Sequence, residues 1–95
     1  MGFDQVADAL GHRTRRHLLV KLAERPSIAV SSADEKIELM HTHLPKLDSM
    51  GYVVWDRERD TVVTGPNWGE IEPVIRLLRA NKDSLPNDTF LEITQ

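Results

Sequence analysis

The chain contains no cysteine. Disulfide scaffolds, thiolate zinc sites and cysteine nucleophiles are therefore excluded. It also lacks a basic excess: 12 Lys and Arg stand against 15 Asp and Glu, for a formal charge of −3. That is not the balance of a strong nucleic-acid binder. No apolar run approaches the ~20 residues of a membrane helix, so no membrane partner is expected. The stretch from Met1 to Arg13 carries Asp4 and Asp8 and no long apolar centre, and it is not expected to be a secretory signal. There is no internal repeat, no low-complexity run and no Gly/Ser linker.

What is present is globular composition, with 40% hydrophobic and 28% charged residues. Ninety-five residues make one small domain. Such a chain buries roughly 60–65% of its unfolded surface, enough to fold alone, though a second subunit would help. Residues 1–81 are expected to form the domain and 82–95 a polar tail, with a candidate strand over 89–94. The charge is unevenly spread. Arg13, Arg15, Arg16, Lys21 and Arg25 face only Glu24 within residues 12–25, whereas residues 31–60 are acidic overall. A basic cluster of this kind is either a solvated helix face or a contact for phosphate or an acidic partner.

Phe3, Val6, Ala7 and Leu10 have the spacing of a short amphipathic helix that Gly11 breaks. Residues 14–24 predict a second helix, with Leu18, Leu19 and Leu22 as a narrow apolar stripe, and Pro26 ends it. Residues 27–30 are candidates for a brief strand. Ser32 and Glu35 have capping-box spacing ahead of a helix over about 33–50. Its stripe is Ile37, Met40, Leu44 and Leu47, and Pro45 predicts a kink or a restart near Leu44. Gly51 is a candidate helix stop. Residues 52–55 and 61–64 then read as a β-hairpin with a charged tip, Asp56 to Asp60. Asn67 is positioned to cap a last helix with Ile71, Val74, Ile75 and Leu78 on its apolar face, and Pro73 marks a candidate first turn.

The order of helices, hairpin and last helix is that of a winged helix-turn-helix: α+β, mainly α. The segment ALGHRTRRHLLVKLAE resembles the first-helix signature of ArsR-like winged-helix regulators. HLPKLDSMGYVVWDRERDTVVTG resembles their helix, glycine, strand and wing. Together they are most similar to small winged-helix domains of halophilic archaea, many of unknown function. The resemblance covers about residues 7–80. It implies a cytoplasmic DNA-binding transcriptional regulator, working as a homodimer on double-stranded DNA. One departure stands out. Only about 11 residues, Pro26 to Lys36, separate the second helix from Ile37, so the helix that braces the recognition helix is shortened or missing.

The face of the recognition helix opposite its stripe holds Glu35, Glu38, Thr42, Lys46 and Ser49. Two acids there oppose the phosphate backbone, and high salt would screen that cost. The expected DNA contacts are Arg13, Arg15 and Arg16 on the second helix, Thr42, Lys46 and Ser49 on the recognition helix, and Arg57 and Arg59 at the wing tip. The wing arginines alternate with Asp56, Glu58 and Asp60, which also fits a self-paired solvated turn. Trp55 and Trp68 fit either core packing or a subunit contact. The expected dimer surface is Trp68, Ile71, Ile75 and Leu78.

Catalytic and metal readings find little support. His41 and His43 lie about 200° apart on a helix, and His12 and His17 are also splayed. His41 and His43 are expected at the edges of the apolar stripe, one of them hydrogen-bonded. No H-E-x-x-H, nucleophile turn or phosphate-binding glycine loop occurs. No catalytic residue, metal or cofactor is expected, and the sequence does not tell whether a small-molecule ligand binds. The alternative to a DNA-binding regulator is a winged-helix protein-interaction or dimerisation module with no direct DNA contact. The acidic 31–60 segment and the shortened brace favour it.

Overall fold

The computed structural model describes residues 2–29 and 42–86. Within them lie four helices: α1 (Phe3–Ala9), α2 (Arg13–Glu24), α3 (Leu44–Ser49) and α4 (Trp68–Ala80). Three strands, β1 (Ser27–Ala29), β2 (Val53–Asp56) and β3 (Thr61–Thr64), form one antiparallel sheet in the order β1-β3-β2. A short 3₁₀ turn, Lys82–Ser84, follows α4. The fold is α+β and mainly helical. The anticipated cap at Ser31 and Ser32, the stripe positions Ile37 and Met40, the acids Glu35 and Glu38, and the 89–94 strand lie outside the described residues.

α1 buries Val6 and Ala9, while Phe3 is 68% exposed and Ala7 is also exposed. The expected Phe3 and Ala7 contribution is thus corrected, because the core lies only beneath the last turn. In α2, His12 caps the start by accepting from the Thr14 amide at 3.1 Å. Leu18, Leu19 and Leu22 are buried as their spacing predicts, and His17 and Val20 are buried with them. The apolar arc is wider than a narrow stripe because α2 packs on both α4 and β1.

Chain reversal after α3 depends on two glycines and an asparagine. Gly51 has φ +83°, a left-handed conformation that a side chain would strain. A Cβ there would also strike the Asn67 amide. Asn67 donates from that amide to the Met50 carbonyl at 3.0 Å, and its backbone N–H donates to Gly51 at 2.7 Å. The expected side-chain cap at Asn67 is therefore absent: the amide is spent across the chain crossing rather than on α4. Gln5 of α1 donates to the same Met50 carbonyl at 3.2 Å. Gly65 donates to the Tyr52 carbonyl at 2.9 Å, and a Cβ on Gly65 would sit 2.5 Å from the Gly51 carbonyl oxygen.

β2 starts one residue later than its pattern predicts, because Tyr52 is taken into this crossing. Val53 and Val62 turn into the core, and Val54 faces out at 43% exposure. β1 pairs with β3 through Ile28 opposite Val62, which makes β3 the central strand. α4 begins at Trp68, not at Pro73, which lies inside the helix. Proline there removes only the bond to the Gly69 carbonyl. Both residues are exposed, so water serves that carbonyl instead.

Two substitutions separate close approach from simple helix propensity. Gly65→Ala forces backbone apart and is expected to cost about 2 kcal/mol or more. Gly69→Ala meets no atom within 4 Å and is expected to stabilise by about 0.5–1 kcal/mol. Urea unfolding midpoints of the two variants check both signs.

Candidate functional site

The hairpin tip is held by one carboxylate. Asp56 Oδ1 accepts from the backbone amides of Glu58 at 3.1 Å and Arg59 at 3.2 Å. This is the local turn that aspartate favours at such positions. Asp60 takes the left-handed φ of 53°, which aspartate tolerates better than most residues. The two tip arginines differ. Arg57 lies back with its guanidinium 4.5 Å from the centre of the Trp55 ring. Arg59 projects outward, 84% exposed, with only a 3.9 Å approach to Asp56. A pair that open contributes little to stability.

Thr42, Lys46 and Ser49 are all exposed at α3. Lys46 pairs with Asp8 of α1 at 3.0 Å, and the Ser49 hydroxyl donates back to the Lys46 carbonyl at 2.8 Å. Asp48 accepts from the Trp55 amide at 2.9 Å and fixes α3 against β2.

The basic residues of α2 separate in the same way. Arg13 is exposed. Arg15 is not: its side chain is 11% exposed. It donates through Nε to the Ala9 carbonyl at 2.9 Å and through Nη2 to the Asp8 carbonyl at 2.8 Å. Arg16 donates to the Leu10 carbonyl at 2.6 Å. These carbonyls end α1; that of Asp8 also accepts from the Gly11 amide at 3.1 Å. Two arginines of α2 thus close the C-terminus of α1. Their position six or seven residues beyond their acceptors is the signal that sequence periodicity overlooks.

The histidines pair differently from any expected spacing. The His12 and His43 rings lie 4.4 Å apart, and Arg15 Nη1 approaches His43 Nδ1 at 3.2 Å. Arginine only donates, so His43 Nδ1 accepts, as His12 Nδ1 does from Thr14. Both rings then carry their proton on Nε2, leaving no ring lone pair for a metal. Among the described residues no three His, Cys, Asp or Glu side chains gather as metal ligands. No described helix is long and apolar enough to cross a membrane.

The expected dimer surface is corrected. Ile71 and Ile75 are wholly buried within the chain, and Trp68 and Leu78 pack against the same core. That face of α4 packs against α2, because it is the apolar side that the domain itself must cover. Tyr52 is also fully buried, and burial, aided by the Glu70 carboxylate, raises its phenol so that it stays neutral.

Burial, then His12, Arg15 and Lys46, push His43 below its usual 6.5. Unfolded His43 titrates near 6.5, so between the two values the unfolded chain holds more protons. Stability contributed by the neutral ring is complete above that pH and is lost as the pH falls through the folded value. Thermal midpoints are expected to drop between about pH 7.5 and pH 5. His43→Gln is expected to flatten that profile, and an unchanged slope would assign the effect elsewhere.

A family model described as Domain of unknown function (DUF7344) matches residues 31–63. The described part of that match holds α3, β2 and most of β3, the unit that carries Lys46, Arg57 and Arg59. No curated protein and no solved structure matches the chain.

Proposed function

We propose that this chain is a winged-helix DNA-binding regulator that acts by binding and not by catalysis. The observation that carries the reading is the unit running from α3 through Gly51 into β2 and β3, closed by β1 as a third strand. In such a unit α3 enters the major groove, and the hairpin tip lies against the flanking backbone. The resemblance to ArsR-like domains of halophilic archaea points the same way.

The contacts follow from which cations remain outward. Arg59 and Arg57 would meet phosphates from the wing, and Arg13 from the start of α2. Thr42, Lys46 and Ser49 would face the groove. Arg15 and Arg16 drop out as DNA contacts and become positioning residues for α1. Lys46 must exchange Asp8 for a phosphate, an exposed pair that gives way readily.

A second reading, a protein-interaction module without DNA contact, draws on the same accounting of charge. With Arg15, Arg16 and Lys46 engaged inside the chain, the positive charge left over is set on a chain of net −3.

Binding to random duplex DNA, followed by fluorescence anisotropy from about 0.2 M salt upward, decides between them. Each phosphate contact adds about 0.9 to the slope of log affinity against log salt. Phosphate contacts from Arg13, Arg57, Arg59 and Lys46 predict a slope of about 3.6 per chain. Arg57→Ala with Arg59→Ala is expected to remove about 2 of it and to weaken all sequences alike. An absence of binding while the protein stays folded rejects the DNA reading in favour of the interaction module.

A further inference from the structure

Three helices meet at one guanidinium. Arg15 of α2 donates through Nε and Nη2 to the Ala9 and Asp8 carbonyls that end α1. Its Nη1 approaches Nδ1 of His43, the residue that opens α3, at 3.2 Å. His12 opens α2, and its ring lies 4.4 Å from the His43 ring at a tilt of 44°. The starts of α2 and α3 are thus clasped by two imidazole rings and a guanidinium. His43 is faced by His12 and Arg15 from α2 and by Lys46 from α3 itself. From α1, the Asp8 carboxylate lies beyond them, engaged by Lys46 at 3.0 Å and 4.0 Å from Arg15.

From this arrangement we infer that the clasp is a proton-operated latch: a proton on His43 Nδ1 releases the start of α3 from the corner of α1 and α2. Arginine only donates, so the latch is closed only while Nδ1 offers its lone pair. A proton there points one N–H at another across the 3.2 Å gap. It also sets a new cation beside Arg15 and Lys46. Arg15 cannot turn away alone, because its guanidinium is planar and its other two nitrogens hold the end of α1. The side that gives way is His43, which is only half-buried, while Leu44 and Leu47 stay in the core and keep the body of α3 in place. Burial and the same neighbours hold His43 below its usual 6.5, so the latch is closed at neutral pH and opens as the pH falls through the folded value.

The fall of overall stability with acid concerns only the folded and unfolded chains. The latch adds a third state, folded but open at one seam. It is observed on the free chain and stands apart from the DNA reading.

NMR of the folded chain between about pH 7.5 and pH 5 tests it. Cross-relaxation between the His12 and His43 ring protons is expected at the upper end and is lost below the His43 midpoint, with the buried Leu44 and Leu47 methyl signals in place. The Leu47 amide donates to the His43 carbonyl at 3.1 Å and reports the first turn of α3. One unit of pKa difference between closed and open states is a tenfold change in opening. Leu47 protection against hydrogen exchange, corrected for intrinsic amide chemistry, is therefore expected to fall about three- to tenfold. Its exchange stays insensitive to low urea, as a local opening requires. His43→Gln keeps an acceptor for Arg15 without titrating and is expected to hold Leu47 protection constant across the range. His43→Lys is expected to leave the seam open at pH 7.5 with circular dichroism unchanged. Asp8→Asn is expected to retain the response, since the carboxylate is not the titrating group. Ring contact that persists below the His43 midpoint overturns the proposal. So does a loss of Leu47 protection that tracks urea, that survives in His43→Gln, or that disappears in Asp8→Asn.

Discussion

The crossing of Gly51 and Asn67 is the constraint on which the rest of the fold depends. The Met50 carbonyl has two lone pairs, and both are used: one by Gln5 of α1, one by Asn67 at the head of α4. Gly51 supplies the left-handed turn out of α3 and Gly65 the close approach out of β3. The end of α3, both ends of the hairpin and the start of α4 thus meet within a few ångströms. A side chain on either glycine would push apart four elements, not one. The direction in which the hairpin leaves α3 is set here, and so is the angle between the tip arginines and the exposed face of α3.

A second constraint is electrostatic. α1 is seven residues long, too short to be stable alone, and nothing within it satisfies its last carbonyls. Arg15 and Arg16 do so from the next helix, with Asp8 accepting from both Arg15 and Lys46 in the same corner. Two members of the basic cluster read over residues 12–25, Arg15 and Arg16, are structural. Of the arginines expected to meet DNA, Arg13 at the start of α2 and Arg57 and Arg59 at the hairpin tip remain exposed. Glu24, at the other end of α2, pairs with Arg79 at 2.9 Å and so joins α2 to α4 at its far end.

Much of the backbone was legible in the sequence. The change of period at Gly51, the turn residues Asp56 to Asp60 and the β-branched run at 61–64 locate the hairpin because each acts locally. Leu18, Leu19 and Leu22 mark the inner side of α2 for the same reason. What was hidden is non-local. Asn67 looks like a helix cap until the Met50 carbonyl is seen opposite it. Pro73 looks like a helix start because sequence rules do not reveal that its lost acceptor faces water. Ile71 and Ile75 are apolar at helical spacing, but spacing alone does not distinguish a face buried within the chain from one buried between chains. For the candidate site, the residue types were readable, whereas the partners that remove Arg15 and Arg16 from it were not.

The carboxylate of Asp56 gives the hairpin tip a further property. Two backbone amides are fixed to it, and Arg57 rests on the Trp55 ring, so most of the tip's conformational entropy is lost when the domain folds. A flexible basic loop would lose that freedom only on meeting its partner, at the expense of affinity. Here the ordering belongs to folding and recurs in every copy before any encounter. Were the tip to meet DNA as proposed, it would arrive already ordered, with the Arg59 side chain its most open cation.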